Sequence, residues 1–213
     1  MIMSRPLLFI LTGAVLSGLS CVVTAPISSL TSEGSLPHVS APPPAVGEHS
    51  RGREVTAIER YLLRRRTGLT PQEIGSLAHT IVEQSRHYDL DPALVMAVMH
   101  VESRFNSFAA SPVGALGLMQ ILPETGEEMA LKHGVAWHGR RTLFDPEINV
   151  KLGIAYLREL ADRYGNISTA LAAYNWGPGR IDRRIRRGSR LPVEYPRLVL
   201  DAHATRWVAD RSS

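Results

Sequence analysis

The sequence predicts an all-α domain, and three observations support this fold class. Apolar residues recur at helical spacing from about residue 70 onward, as in the segment Ile74–Val82. No segment alternates apolar and polar residues between hairpin turns, so we expect no β-sheet. Finally, a capping residue followed by proline marks three helix starts: Thr70-Pro71, Asp91-Pro92 and Asp145-Pro146.

The first half of the domain is predicted to hold three helices. The segment Thr70-Pro71-Gln72-Glu73 is a capping box, in which the threonine and glutamate side chains bond each other's backbone N–H groups. Asp91-Pro92 starts an apolar helix that reaches Glu102. A loop with two glycines and a proline covers Ser111–Gln120, and Pro123 starts the third helix, which reaches about Leu131.

The second half is predicted to be helical after an irregular stretch at 134–143. Asp145-Pro146 starts a long helix that ends at Gly165. Ser168 can cap a helix that reaches Tyr174. The turn Gly177-Pro178-Gly179 then separates it from a short basic helix over Arg180–Arg187.

Residues 1–21 have the pattern of an export signal. Arg5 supplies the positive end, and the apolar stretch Pro6–Leu19 is too short for an ordinary membrane-spanning helix. Two ways of processing remain open. Gly18-Leu19-Ser20-Cys21 is similar to a lipoprotein box, which would lipidate Cys21 and attach the chain to a membrane, or a signal peptidase could cut after Ser20. We expect the protein in the cell envelope, in the periplasm.

Residues 22–69 are predicted to be a linker followed by a lead-in helix, and residues 70–205 to be the folded domain. The first part of the linker is rich in Pro, Ser, Ala and Gly, which bury little surface. A basic helix is expected over Val55–Arg66, with Ile58, Tyr61 and Leu62 on one face. This face can pack on the domain or lie on a membrane surface, and we favour packing.

The composition argues against several kinds of site. The chain has 213 residues with a net charge of +4, and 44% of them are hydrophobic, as in an ordinary globular protein. Cys21 is the only cysteine, and no histidines are spaced as a ligand pair, so we expect neither a metal nor a cofactor. The positive charge favours an anionic partner.

Glu102 is the candidate catalytic residue. It lies four residues after Val98 and seven after Val95, so it continues their apolar stripe into the protein. Loss of water disfavours the charged carboxylate and raises its pKa, which suits a general acid near neutral pH. We expect Ser103 to be a helix-end residue that positions Glu102. A nucleophilic serine would need a base to activate it, and the sequence places none there.

Three segments together carry a resemblance. They are Glu102–Asn106, Ser111–Gln120 and Ala173–Arg180, in this order along the chain. In these segments the chain closely resembles the catalytic domain of the soluble lytic transglycosylases, which have the goose-type lysozyme-like fold. The similarity covers roughly residues 73–187.

The resemblance implies an activity and a set of site residues. Such enzymes cleave the β-1,4 bond between N-acetylmuramic acid and N-acetylglucosamine without water and leave a 1,6-anhydromuramoyl end. By position, Glu102 would be the single catalytic acid/base. The substrate-binding residues would be Ser111, Met119, Gln120, Tyr174 and Asn175.

Several of these residues also have a physical interpretation. Gly114 and Gly117 allow a polymer to approach the backbone closely. Gln120 can donate and accept hydrogen bonds with hydroxyl and acetamido groups. Tyr174 offers a ring face to a sugar and a hydroxyl near Glu102.

One segment departs from the family. Members often have Pro-x-Glu-Thr-x-x-Tyr-Val beyond the site, whereas this chain has Pro192–Val199 with Tyr195 in place of threonine and Leu198 in place of tyrosine. The groove wall that this segment builds is therefore expected to differ.

Other functions fit some of the same features. A hydrolytic muramidase would use water instead of the C6 hydroxyl, and a silent module would bind the wall without cleaving it. We do not expect a nucleic-acid partner, because the export signal removes the arginines of the segment Arg180–Arg190 from DNA. These arginines fit the anionic stem peptides of peptidoglycan or lipid headgroups. The expected partner is the peptidoglycan glycan strand, and general wall turnover and service to an envelope-spanning secretion machinery both stay open.

Overall fold

The computed structural model describes residues 46–206, which belong to one compact unit. The predicted export signal, Cys21 and the first part of the linker lie outside the described residues. Eight α-helices and a 3₁₀ turn at Arg140–Phe144 form this part of the chain. The helices are α1 Val46–Leu63, α2 Pro71–His87, α3 Pro92–Ser103, α4 Pro123–Lys132, α5 Pro146–Tyr164, α6 Ile167–Trp176, α7 Pro178–Arg186 and α8 Glu194–Arg206.

The all-α prediction is confirmed. The described residues contain no β-strand. Their β-structure is limited to two isolated bridges, which pair Leu116 with Ala110 and with Ile121 inside the loop before α4. The three predicted helix starts also form as expected. Thr70 makes the full capping box with Glu73, Asp91 accepts from the backbone N–H of Ala93, and Asp145 accepts from that of Ile148.

Some helix boundaries differ from the prediction. α1 begins at Val46 rather than at Val55, and α6 is capped by Asn166, whose side chain accepts from Thr169, rather than by Ser168. α7 begins at Pro178, since proline suits the first turn of a helix. The sequence analysis did not predict α8, which has no clear apolar stripe.

Helix α3 lies at the centre of the domain. All residues from Ala93 to Met99 are buried, so this helix is covered on every side rather than along one stripe. α2 and α8 pack against it, α5 packs against α2 and α6, and α6 also packs against α8. Glu102 therefore lies near the end of a helix whose first turns are wholly buried and apolar.

Helix α1 packs on the domain, as favoured from the sequence. Val55, Ile58, Tyr61 and Leu62 are buried and belong to the main core, and α1 contacts α2. Within residues 46–206, no helix combines the length and the apolar character needed to cross a bilayer.

A buried asparagine anchors the loop between α3 and α4. Asn149 of α5 is fully buried, and its side-chain oxygen accepts a hydrogen bond from the backbone N–H of Met119 at 2.8 Å. Its amide nitrogen donates to the carbonyl oxygens of Leu116 and Leu143, both at 2.9 Å. One side chain thus binds three buried backbone groups. The Met119 N–H and the Leu143 carbonyl oxygen have no other backbone partner in the described chain, whereas the Leu116 carbonyl oxygen also accepts from the N–H of Ile121 at 3.0 Å.

Two glycines let the loop approach α5 this closely. Gly117 has a positive φ of 77°, and a Cβ there would overlap the Asn149 amide and the Leu143 carbonyl oxygen. A Cβ at Gly153 of α5 would overlap the side chain of Met119. Gly117 thus serves the packing of the chain itself, whereas the sequence analysis had assigned it to the approach of a polymer. No atoms lie within 4 Å of a Cβ position at Gly114, so the contacts of the chain itself do not replace its predicted role in the approach of a polymer.

We expect Asn149→Leu to lower the free energy of unfolding by roughly 3 kcal/mol, because the buried Met119 N–H and Leu143 carbonyl oxygen lose their partner and the Leu116 carbonyl oxygen loses one of two. Urea denaturation followed by circular dichroism measures the change. Lys151→Ala on the same helix is the control and should change stability by about 0.5 kcal/mol or less. Equal effects of the two substitutions would show that Asn149 does not anchor the loop.

Candidate active site

Glu102 is the penultimate residue of α3, and its side chain is partly buried. Its Oε1 atom accepts a hydrogen bond of 2.6 Å from the hydroxyl of Tyr195. Burial raises the pKa of Glu102 to about 7, and the bond from Tyr195 opposes this effect without cancelling it. Among the described residues, Glu102 takes part in no ion pair, and no cation contributes to its pKa. The carboxyl group therefore exchanges its proton near neutral pH.

Tyr195 is the site residue that sequence reasoning missed. It lies in the first turn of α8, is buried, and reaches Glu102 across 93 positions of sequence. Burial and the neighbouring Glu102 raise the pKa of Tyr195 well above 10, so the hydroxyl keeps its proton and donates it in the hydrogen bond. The only signal in the sequence was the departure of the segment Pro192–Val199, which places a tyrosine at position 195.

The chain reverses direction directly after Glu102. Arg104 and Phe105 both have positive φ, at 51° and 68°, a conformation that costs about 1 kcal/mol or more for each such residue. The ring of Phe105 is buried 5.5 Å from that of Tyr61, which anchors the turn. As expected, Ser103 is a helix-end residue: its hydroxyl contacts the carbonyl oxygens of Met99 and Leu118.

Gln120 lies at the end of the loop, with a φ of 49°. Its amide nitrogen donates to the carbonyl oxygens of Ala109 and Gly117, at 3.1 and 2.9 Å. The sequence analysis expected Gln120 to donate and to accept. With its donors engaged inside the protein, the side chain has its oxygen to offer to a ligand, as an acceptor.

Tyr174 and Met119 are joined by a hydrogen bond. The hydroxyl of Tyr174 donates to the carbonyl oxygen of Met119 at 2.8 Å, and burial raises the pKa of Tyr174 well above 10. The side chain of Met119 is fully buried and packs over Gly153, whereas the sequence analysis placed it along the groove. Met119 thus shapes the site through its backbone, by fixing the ring of Tyr174.

Ser111 and Asn175 occupy different places. The Ser111 hydroxyl accepts from the backbone N–H of Ala115 at 3.0 Å, so it closes the turn at the tip of the loop. Asn175 is exposed near the end of α6. A cavity of about 320 Å³ brings Asn175 together with other predicted residues, and its lining includes Gln120, Tyr156, Tyr174, Asn175, Trp176 and Arg180. Ser111 is not part of that lining.

The chemistry available here is proton transfer by one carboxyl group. A group with a pKa of about 7 can donate a proton and then accept one in a later step. Neither Glu102 nor another carboxylate is among the residues that line the cavity, but Glu102 lies close enough to Tyr174, which does line it, to raise the pKa of that hydroxyl. No second carboxylate contributes to the pKa of Glu102. Within residues 46–206, no cluster of His, Cys, Asp or Glu has the arrangement of a metal site.

Removing the bond from Tyr195 should raise the pKa of Glu102 further, because this bond stabilises the carboxylate. We expect Tyr195→Phe to shift the Glu102 titration above pH 7, as measured by carboxyl ¹³C NMR. Tyr88→Phe, which removes a hydroxyl bonded to His133 instead, should leave the titration unchanged. A titration that stays at about pH 7 in Tyr195→Phe would show that the bond has no influence on Glu102.

Glu102 should also make stability depend on pH. The folded protein keeps this proton up to about pH 7, whereas a free glutamate releases it near 4.5. The free energy of unfolding therefore falls as the pH rises between these values. We expect Glu102→Gln to raise the Tm at pH 8 and to change it little at pH 4, in differential scanning calorimetry. An equal change at both pH values would contradict the raised pKa.

Comparisons with known proteins place this geometry in a family. The model of the transglycosylase SLT domain matches residues 79–193. The chain is 38% identical over 132 residues to a transglycosylase of Enterobacteria phage PRD1, covering 55% of this chain and 46% of that protein. It is 34% identical over 127 residues to membrane-bound lytic murein transglycosylase C of Cronobacter sakazakii, covering 53% of this chain and 35% of that protein.

A solved structure agrees with this placement. The X-ray structure of an inactive mutant of lytic transglycosylase Slt from Pseudomonas aeruginosa matches with a TM-score of 0.56 and 26% identity, covering 78% of this chain and 32% of that chain. The chain spans less than half the length of these relatives. Because the family model covers more than half of this sequence, the chain belongs to the transglycosylase SLT domain family, with a lysozyme-like helical fold.

Proposed function

We propose that the chain is a peptidoglycan lytic transglycosylase. It cleaves the β-1,4 bond between N-acetylmuramic acid and N-acetylglucosamine and leaves a 1,6-anhydromuramoyl end. One observation carries this proposal: a single carboxyl group, Glu102, has a pKa of about 7 and no second carboxylate contributing to it. An ordinary glycosidase needs two carboxylates across the scissile bond.

Glu102 takes both proton-transfer roles in turn. Its protonated carboxyl group gives a proton to the leaving glycosidic oxygen while the C1–O bond breaks. The substrate's own 2-acetamido group stabilises the cation that develops at C1, the role that a second carboxylate fills elsewhere. The C6 hydroxyl then attacks C1, and the Glu102 carboxylate takes the hydroxyl proton. The enzyme returns to its starting state, and no water is consumed.

The neighbouring residues hold the carboxyl group and the sugar. Tyr195 orients the Glu102 carboxyl group through its 2.6 Å hydrogen bond. Gln120 accepts from sugar hydroxyl or amide groups, because its own donors are engaged inside the protein. Tyr174 and Asn175 line the cavity, and Ser111, which does not line it, holds the tip of the loop. Met119 acts through its carbonyl oxygen, which fixes Tyr174.

The names of the related proteins support this proposal. The Cronobacter relative is named a lytic murein transglycosylase, and the inactive mutant of Slt from Pseudomonas aeruginosa has a glutamate replaced by glutamine. We place the protein in the cell envelope, as the apolar stretch Pro6–Leu19 suggests. Attachment through a lipidated Cys21 is part of the proposal, and the membrane-bound relative is in line with it.

We expect Glu102→Gln to lower the rate of peptidoglycan cleavage by about 10²-fold or more, because the amide cannot transfer a proton. Purified sacculi are digested, and the released fragments are quantified by liquid chromatography and mass spectrometry. The rate of the unsubstituted protein should fall as the pH rises above about 7, where Glu102 loses its proton. Glu83→Gln, at an exposed position of α2, is the matched control and should leave the rate unchanged.

The mass of the products decides between the proposed reaction and its alternatives. Fragments with a 1,6-anhydro end are lighter by one water than those of a hydrolytic muramidase. Hydrolysed ends would overturn the transglycosylase mechanism, and binding of sacculi without any release would indicate a silent module.

A further inference from the structure

Trp176 is in contact with two arginines beside the cavity. It is the last residue of α6 and lines the 320 Å³ cavity; we call the part of the lining formed by Trp176 and Arg180 the mouth of the groove. The residue is 36% exposed, which is high for a large aromatic residue. The guanidinium groups of Arg180 and Arg184 lie 5.5 and 5.1 Å from the centre of the ring, within the range of cation–π contacts.

The two arginines have different roles. They are four residues apart on α7, so they project from the same face of the helix. Arg184 also donates to the carbonyl oxygen of Arg190 at 2.7 Å, which fixes it against the ring. Arg180, in contrast, lines the cavity and is exposed. Arg184 therefore holds Trp176 in place, and Arg180 offers its charge to the groove.

The positive charge of Arg180 is not neutralised by a carboxylate inside the described part of the chain. No carboxylate among residues 46–206 forms an ion pair with Arg180 or Arg184. The one acidic residue of α7, Asp182, points toward α5 instead, where it pairs with Arg163 and accepts a 2.8 Å hydrogen bond from Tyr164. The mouth of the groove thus combines a flat ring with a guanidinium group that is available to an anion.

We propose that Trp176 and Arg180 form a binding site for the stem peptide of the substrate, with Arg180 bonded to a peptide carboxylate. This inference rests on the proposed function, since stem peptides branch from the muramic acid residues of the glycan strand. In the intact strand the sugars are neutral, because the lactyl carboxyl group of muramic acid is bonded to the peptide as an amide, so a guanidinium group at the groove has no partner in the sugars. The peptide carries free carboxylates, to which arginine binds through two parallel hydrogen bonds.

The site makes the enzyme selective for glycan that carries peptides. A guanidinium–carboxylate contact beside an aromatic ring strengthens binding of such strands and adds nothing when the peptide carboxylates are blocked as amides. Because Arg180 is exposed, the contribution should shrink as salt increases. Selectivity would then reside at the α6–α7 turn, while the chemistry resides at the end of α3.

The test measures binding in the Glu102→Gln background, so that it does not depend on cleavage. Isothermal titration calorimetry compares one glycan fragment with intact stem peptides and the same fragment with its peptide carboxylates converted to amides. We expect the intact fragment to bind about tenfold more tightly than the amidated one, a difference typical of one good charged contact.

Adding Arg180→Ala should bring the ratio of these affinities to about one. Arg186→Ala removes the same charge from an exposed position of the same helix and should keep the ratio at about tenfold. Circular dichroism checks that each variant is folded. The proposal is overturned if Arg180→Ala weakens binding of both fragments equally, or if the intact fragment shows no preference.

Two further outcomes have a clear meaning. If Arg180→Ala weakens binding to phosphatidylglycerol vesicles and leaves the fragment ratio unchanged, the arginine serves a lipid surface and the proposal is wrong. If the unsubstituted protein releases no anhydro-muropeptides from sacculi while the tenfold ratio and its dependence on Arg180 persist, the proposed reaction fails and the peptide site stands.

Discussion

The removal of one carboxyl group from water is the constraint on which the rest of the site depends. Glu102 follows seven consecutive buried residues of α3, and its only hydrogen-bond donor in the described chain is the Tyr195 hydroxyl. A tyrosine stabilises a carboxylate less than an arginine would, so burial dominates and the pKa stays near 7. The arrangement costs stability at neutral pH, since part of the population carries a buried charge without a counterion.

Side-chain hydrogen bonds hold the loop between α3 and α4. Asn149 bonds three backbone groups, Ser103 joins the end of α3 to Leu118, and the Gln120 amide closes the last turn. The backbone reverses at Phe105 and Gln120 with positive φ, which is tolerated because these contacts and the buried Phe105 ring determine it. The result is a rigid frame around the carboxyl group, so that the proton is delivered at a fixed place.

In the functions proposed here, helices α6 and α7 carry the binding of charged groups, and the end of α3 carries the chemistry. Tyr174 is fixed to the frame through the Met119 carbonyl oxygen, and two residues later Trp176 leaves the core and meets the arginines of α7. Gly177, with a φ of 83°, allows the sharp turn between them. In the functions proposed here, the glycan therefore meets neutral hydrogen-bonding groups next to Glu102, and its charged branches meet cations only at the mouth of the groove.

The sequence alone determined the helical fold, the starts of α2, α3 and α5, and the three segments that meet at the site, because caps, prolines and apolar periodicity act over a few residues. It also indicated that Glu102 turns inward. Only the tertiary structure decided the partners. Tyr195, 93 positions away on a helix without a clear stripe, reaches Glu102 because α8 packs on α3. The Met119 side chain turns into the core because Gly153 leaves space there. Asn149 bonds the backbone of Met119 and of Leu116, which lie 30 and 33 positions earlier in the chain and come near it only in the folded domain.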